Sequence, residues 1–165
     1  NEFSDFARMP KPIFKKNELN KIIKDSINLM KTNDKDININ FVFEKVYFVN
    51  SDIEQLNRVF INLFKNSIES LKEKSEKMGN FPKKINIEIQ LINDYINITV
   101  QDNGTGFTNN DPKVFSKPYF TTKKEGSGLG LSIVEKILND HNGFIEFIPQ
   151  KEGAKIKILL PKYVN

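Results

Sequence analysis

A chain of 165 residues with 38% hydrophobic content, including 14 Phe, is long enough to bury the core of one domain. The absence of cysteine excludes disulfides and thiolate chemistry, and the apolar runs are far too short to span a membrane. The net charge of +4 comes from lysines interspersed with acidic residues and from only two arginines, which favours solvated faces over a nucleic-acid-binding surface.

The first 14 residues are expected to end a preceding helix and to form a linker. Pro10 and Pro12 cannot continue a helix that arrives from upstream, because proline lacks the N–H and restricts the residue before it. The chain begins at Asn1 rather than at a methionine, so we expect it to be a fragment of a longer protein that carries any membrane anchor.

A helix and two strands are predicted next. Asn17 is a candidate N-cap for an amphipathic helix that ends near Lys31. A polar turn over 32–36 leads to residues 37–43, where apolar and polar residues alternate as in a half-buried strand. Residues 46–49 form a second, short candidate strand.

A long helix is predicted in the middle of the chain. Either Ser51 or Asp52 can cap it, and it extends to about Lys77 before a loop over 78–83. Its apolar residues at helical spacing are Leu56, Val59, Phe60, Leu63, Phe64, Ile68 and Leu71.

A hairpin and a long irregular segment follow. Alternation over 85–91 and 96–100 predicts two strands, with the turn at Asn93 and Asp94. Residues 103–127 show no periodic pattern, and a loop of this length inside a compact domain is usually a functional lid or disordered.

The last part of the chain is predicted to form a helix over 129–140 and two strands over 144–148 and 155–160. His141, the only histidine, begins the helix stop, where a partial positive charge would suit the helix dipole in a structural role. The order of elements predicts an α+β fold: a two-layer sandwich of one mixed, largely antiparallel sheet with helices on one face.

Two asparagines on the long helix are candidate metal and phosphate ligands. Asn62 and Asn66 are spaced i, i+4 and share a face, with Lys65 and Glu69 beside it. Neutral amide oxygens suit a hard cation that is shared with phosphates, such as Mg²⁺. Because the chain is rich in asparagine, a purely structural role for the pair stays open.

A carboxylate and two glycines leave the second strand of the hairpin. Asp102 could accept a hydrogen bond from an adenine amino group, whereas guanine would present a carbonyl oxygen that repels it. Gly104 and Gly106 would let the backbone approach a ligand closely. The alternative is that Asp-Asn-Gly is only a turn, since this is a common hairpin signal.

A second glycine cluster precedes the last helix. Gly126, Gly128 and Gly130 leave backbone N–H groups free at a helix start, where the dipole favours phosphate. Glycine patterns of this kind also occur in ordinary turns. The cluster matches neither the phosphate loop that ends in Gly-Lys-Ser/Thr nor the dinucleotide-binding fingerprint.

The order of these features resembles the ATP-binding catalytic domain of sensor histidine kinases, within the superfamily of gyrase, Hsp90, histidine kinase and MutL. An asparagine helix precedes Asp-x-Gly-x-Gly, an aromatic segment over 115–123 and Gly-x-Gly-x-Gly, and the resemblance covers about residues 15–162. The opening residues 2–12 look like the end of the dimerisation helix and linker of NtrY-type nitrogen-regulation kinases. The resemblance thus implies a linker over 1–14 and a Bergerat-type ATP-binding domain over 15–165.

The resemblance also implies roles for individual residues. Asn66 matches the Mg²⁺ ligand, Asn62 the asparagine near the phosphates, and Asp102 the residue that reads adenine, while Phe115 matches the aromatic box that packs the lid. The full set of implied ATP-site residues is Asn62, Lys65, Asn66, Glu69, Asp102, Gly104, Gly106, Phe107, Tyr119, Thr121, Thr122, Lys123, Gly126, Ser127, Gly128, Leu129 and Gly130.

The activity implied is transfer of the γ-phosphate of ATP to a histidine. In hydrolysing members and anti-sigma serine kinases the position of Asn62 resembles a glutamate that acts as general base, and asparagine cannot take a proton near neutral pH. His141 lacks the surroundings of a phosphoacceptor, so we expect the acceptor to lie outside this chain. A superfamily ATPase or serine kinase and a non-enzymatic nucleotide sensor remain alternatives.

The implied partners are the kinase's own dimerisation and phosphoacceptor domain and a response regulator of the NtrX type. The full-length kinase would be a homodimer, and this chain would be the cytoplasmic part of a membrane-anchored bacterial protein. No nucleic acid partner is expected.

Overall fold

The computed structural model describes residues 9–31, 36–106 and 130–165. Each helix within these ranges is too short or too polar to span a bilayer. The elements, in chain order, are β1 (Lys15–Glu18), α1 (Leu19–Lys31), β2 (Ile37–Phe43), β3 (Phe48–Ser51), α2 (Ile53–Met78), β4 (Lys83–Ile92), β5 (Tyr95–Asp102), α3 (Gly130–Asp140), β6 (Phe144–Ile148) and β7 (Lys155–Pro161).

Five of the strands form one mixed sheet in the order β2-β4-β5-β7-β6. β2 runs parallel to β4, with Ile37 opposite Lys83, and the other three pairings are antiparallel. The β4–β5 hairpin turns at Asn93, whose φ of 57° is one that asparagine tolerates well. The predicted mixed, largely antiparallel sheet is confirmed.

The core lies between this sheet and the helices. Alternation along β4 and β5 places Ile85, Ile87, Ile96 and Ile98 on the covered face, where all four are buried. α2 is the central helix, in contact with α1, α3 and β5. Burial of each large apolar side chain contributes about 1.5–3 kcal/mol. The layer interface therefore sets the position of α2 relative to β5.

A small second sheet was not predicted from the sequence. β1 pairs with β3 in antiparallel register, and Lys15 lies opposite Ser51. Asn17, the predicted helix cap, lies within β1, and its Nδ2 donates to the Ser51 carbonyl oxygen at 2.9 Å. The predicted start of the first helix is therefore wrong: α1 begins at Leu19, because the preceding residues are held in extended form by β3.

The start of α2 also holds the segment that precedes β1. Asp52 is confirmed as the N-cap, since its Oδ1 accepts from the Gln55 N–H at 3.1 Å. Its Oδ2 accepts from the Ile13 N–H at 2.8 Å, and Gln55 Nε2 donates to the Pro10 carbonyl oxygen at 3.0 Å. Residues of the predicted linker thus lie directly against the first turn of α2.

Candidate functional site

Asp102 lies at the end of β5, on the sheet face covered by the helices. Its side chain is 5% exposed, and its Oδ1 accepts from the Gly104 N–H at 2.9 Å and the Ala154 N–H at 3.3 Å. Burial raises the pKa of the carboxyl above its ordinary 3.8, against hydrogen bonds that include one from Ser67 and the charge of Lys74. Buried carboxylates with such opposed influences are concentrated at functional sites.

The turn after Asp102 packs directly against α2 at Gly104. A Cβ atom at this position would overlap the Ser70 hydroxyl and lie 2.8 Å from the Ser70 carbonyl carbon. The Thr105 N–H donates to Ser70 Oγ at 2.9 Å, and the two hydroxyl oxygens are 3.0 Å apart. Gly104 is therefore required for the close approach of this turn to the helix.

The turn between β6 and β7 forms the opposite side of the Asp102 environment. Gly106 and Gly153 have positive φ values of 80° and 76°, and a Cβ atom at Gly106 would lie 2.7 Å from the Gly153 carbonyl oxygen. A Cβ atom at Gly153 would overlap the Asp102 carbonyl oxygen. Sequence analysis missed Gly153 and Ala154, although a glycine between two predicted strands was an available signal.

The predicted metal and phosphate residues of α2 lie on adjacent turns of one helix face. Asn62, Asn66 and Glu69 are half-buried, and Lys65 beside them is exposed. Asn62 Nδ2 donates to the backbone carbonyl one turn earlier at 2.9 Å. A Cβ atom at Gly130 would lie 3.4 Å from Asn62 Oδ1, so the start of α3 adjoins this face.

A second polar row on α2 contacts the residues that end β5, and sequence analysis did not single it out. Ser67 hydrogen-bonds Asp102, Ser70 contacts the following turn, and Lys74 Nζ donates to the Asn103 carbonyl oxygen at 2.9 Å. Their spacing of three and four residues places them on one helix face. That spacing was the signal in the sequence that could have identified them.

The remaining predicted site residues lie outside the described residues, and their assignments stay predictions. They are Phe107, Phe115, Tyr119, Thr121, Thr122, Lys123, Gly126, Ser127, Gly128 and Leu129.

His141 joins the end of α3 to the start of α2. It is 4% exposed, its Nε2 accepts from the Asp52 N–H at 3.1 Å, and its Nδ1 lies 2.7 Å from the Ile137 carbonyl oxygen. One ring nitrogen accepts and the other donates, so the ring is the neutral Nδ1–H tautomer. Burial lowers its pKa below 6.5. The predicted partial positive charge is therefore wrong, and the contacts favour the structural interpretation.

Comparison with known proteins places these features in a family. The family model for histidine kinase-, DNA gyrase B- and HSP90-like ATPases matches residues 51–164. The chain is 30% identical over 162 residues to nitrogen regulation protein NtrY of Azorhizobium caulinodans, covering 97% of this chain and 21% of the relative. It is 36% identical over 164 residues to a putative NtrY-like sensor histidine kinase of Rickettsia conorii, covering 96% and 26%.

A solved structure shares the fold. The nucleotide-free catalytic domain of histidine kinase ThkA superposes with a TM-score of 0.79 at 27% identity, covering 91% of this chain and 96% of that chain. ThkA in complex with the response regulator TrrA gives a TM-score of 0.76 at 25% identity, covering 98% and 46%. The chain spans about a quarter of the length of the NtrY and NtrY-like relatives.

Proposed function

The chain belongs to the family of histidine kinase-, DNA gyrase B- and HSP90-like ATPases, and we propose that it is the ATP-binding catalytic domain of an NtrY-type sensor histidine kinase. A histidine nitrogen outside this chain attacks the γ-phosphorus of ATP, the bond to the bridging oxygen breaks, and ADP leaves. The phosphoryl group then passes to an aspartate of a response regulator. The domain acts by positioning and charge neutralisation rather than by covalent chemistry.

The buried carboxylate of Asp102 is the observation that carries the proposal. It accepts backbone hydrogen bonds on Oδ1, and an ionised carboxylate has about four lone-pair sites. Acceptor capacity therefore remains for the amino group of adenine. Gly104 packs against α2, Gly106 packs against Gly153, and Gly153 packs against the backbone carbonyl of Asp102, so the turns beside this carboxylate are held close together.

The phosphates would lie beside Asn62 and the start of α3. Gly130 adjoins the Asn62 amide, and a helix start offers free N–H groups and a favourable dipole for anions. On the basis of the family resemblance, we assign the phosphates further contacts with the glycines and hydroxyls of 121–129. We also assign Lys123 to a lid that reaches the phosphates.

Asn66 would be the protein ligand of Mg²⁺. The described residues contain no group of three or more Asp, Glu, His or Cys side chains that could hold a metal. A single amide oxygen next to a phosphate site fits a cation that keeps several waters and takes its other ligands from phosphates. When bound, Mg²⁺ would neutralise charge that develops on the phosphoryl group.

Asn62 favours phosphotransfer to histidine over hydrolysis. Its amide already donates to a backbone carbonyl, and an amide cannot accept a proton from water or serine near neutral pH. A histidine acceptor carries its own lone pair and needs no general base. This distinguishes the proposal from an ATPase or serine kinase of the same family.

The partners proposed are the dimerisation domain that carries the acceptor histidine and a response regulator of the NtrX type. Support for the regulator comes from ThkA, which forms a complex with the regulator TrrA. We place the domain on the cytoplasmic side of a membrane-anchored, homodimeric kinase.

Calorimetric titration of the chain with ATP tests nucleotide binding. We expect binding that strengthens with Mg²⁺, and no comparable binding of GTP. Equal affinity for GTP would contradict the role of Asp102.

Substitution of Asn66 tests the metal assignment. Asn66→Ala should reduce the dependence of ATP affinity on Mg²⁺, because the one proposed protein ligand is removed, while Lys77→Ala, at an exposed position further along α2, serves as the comparison. A Mg²⁺ titration of the Asn66→Ala variant that matches wild type would remove Asn66 from the metal site.

A supplied acceptor domain tests the reaction. We expect the chain to transfer radioactive γ-phosphate from ATP to a separate dimerisation domain of an NtrY-type kinase, with little hydrolysis in its absence. Steady hydrolysis by the chain alone would favour an ATPase. Binding without any transfer would favour a nucleotide sensor.

A further inference from the structure

The second polar row of α2 holds the turn that follows Asp102. Ser70 binds the Thr105 N–H, and Lys74 binds the Asn103 carbonyl oxygen. We propose that Ser70 and Lys74 are positioning residues for nucleotide binding. They hold the turn 103–105 against α2 and thereby fix the Asp102 carboxylate in the proposed adenine-binding site. This inference rests on the proposed function, since it assigns residues to the same site.

Lys74 is built into this position rather than extended into solvent. Its side chain is 13% exposed, although lysine is almost never buried unless it is paired. Its Nζ lies 2.9 Å from the Asn103 carbonyl oxygen, 2.6 Å from Glu152 Oε1 and 4.6 Å from the centre of the Phe81 ring. The ammonium thus joins α2, the turn after β5 and the turn between β6 and β7, the three elements that surround Asp102.

The charge of Lys74 also acts on the carboxylate. Burial raises the pKa of Asp102, and the positive charge of Lys74 lowers it. Only the ionised form offers both oxygens as acceptors to the adenine amino group. Removal of Lys74 should therefore weaken ATP binding most at the acidic end of the pH range.

Ser70 holds the same turn by a neutral hydrogen bond. Its hydroxyl accepts a hydrogen bond from the Thr105 N–H beside the point where Gly104 packs against the Ser70 backbone, and the hydroxyl oxygens of Ser70 and Thr105 are in hydrogen-bond contact. Removal of the hydroxyl would leave the Thr105 N–H without its acceptor while the charge near Asp102 stays the same. Ser70→Ala should therefore lower affinity without moving its pH dependence.

The first experiment measures ATP affinity from pH 5 to 8 by calorimetry. We expect Lys74→Met to bind ATP about three- to tenfold more weakly at neutral pH, with the acidic loss of binding moved to higher pH. Lys74→Arg, which keeps the charge and the donors, should restore most of the affinity. The matched control is Lys77→Met, because Lys77 pairs only with Glu73 one turn away among its described contacts and is 66% exposed.

The second experiment follows the Asp102 carboxyl carbon by NMR titration of the nucleotide-free chain. Lys74→Met should raise the measured pKa, whereas Lys77→Met should not. If Lys74→Met and Lys77→Met have the same ATP affinity and the same Asp102 pKa, the inference is overturned. If wild type binds no ATP, the proposed function fails instead. Should Lys74→Met not fold, Ser70→Ala decides: wild-type affinity in that variant would also overturn the inference.

Discussion

Asp102 and His141 are both buried titratable groups, and their surroundings differ in kind. Burial disfavours the charged form of each, so it raises the pKa of Asp102 and lowers that of His141. His141 uses both ring nitrogens within the protein, one toward Asp52 and one toward Ile137. Both ring nitrogens are therefore already hydrogen-bonded, and the ring connects the start of α2 to the end of α3.

Asp102 is held differently. Backbone N–H groups of Gly104 and Ala154 and the side chain of Ser67 donate to it, and they favour the charged form that burial disfavours. A carboxylate also has more acceptor sites than these donors occupy. Burial alone therefore does not identify a binding group: what matters is whether the neighbours use up its hydrogen-bonding capacity.

Removing the charge of Asp102 should have the largest effect on binding. Asp102→Asn keeps an oxygen that can accept from the Gly104 N–H, so the domain should fold. It should bind ATP at least tenfold more weakly, since hydrogen bonds to charged groups contribute about 1.5–3 kcal/mol. Calorimetry measures the affinity, and thermal unfolding checks the fold. Undiminished affinity in a folded Asp102→Asn variant would exclude the base-reading role.

Removing the ring of His141 should change stability and leave binding intact. His141→Ala leaves the Asp52 N–H and the Ile137 carbonyl without this partner, and should lower the free energy of unfolding by about 1–3 kcal/mol. Urea unfolding measures the loss, and Asn139→Ala, an exposed position on the same helix, is the control. A fall in ATP affinity comparable to that of Asp102→Asn would erase the distinction between the two regions.

Local patterns were enough to predict most of the framework around both groups. Helical spacing predicted α2, and alternation predicted β4 and β5 with their turn at Asn93. These elements are specified by periodic burial against one layer interface. β1 was missed because it is four residues long and largely polar, and because its partner residues in β3 lie 30 or more positions further along the chain.

The candidate site was predictable only in part. Asp102 and Gly104 were recognisable from a short motif, and Asn62 and Asn66 from helical spacing. Ser70 and Gly153 were marked only by helical spacing and by a glycine between two strands, and neither signal specifies the contact that each makes with the residues at the end of β5. Such contacts depend on how α2 and the β6–β7 turn pack against β5, which no local pattern encodes.

Alanine at position 104 tests whether ATP binding depends on the close packing of this turn against α2, and alanine at position 79 tests the effect of backbone strain alone. Gly104→Ala should cost about 1–3 kcal/mol of stability through overpacking against α2, and should also weaken ATP binding. Gly79→Ala is the matched control: its φ is 83°, so alanine is strained there, but a Cβ atom meets nothing within 4 Å. Calorimetry and thermal unfolding of both variants test this. Equal ATP affinities in the two variants would show that the approach of the turn to α2 does not matter for binding.

The smallest expected effect is the pH dependence of stability in the nucleotide-free chain, where the two groups act with opposite sign. The folded pKa of His141 lies below 6.5, so the unfolded chain takes up the proton first, and stability falls as pH drops below 6.5 toward that folded value. The folded pKa of Asp102 lies above 3.8, so protonation of Asp102 stabilises the folded state at acid pH, and this stabilisation is lost as pH rises through the folded pKa. Urea unfolding between pH 4 and 8 should show the loss of stability below pH 6.5 in wild type and in Asp102→Asn, but not in His141→Ala. Persistence of the loss below pH 6.5 in His141→Ala would assign it to another group, and the neutral His141 would then no longer explain the acid sensitivity of the contact between α3 and α2.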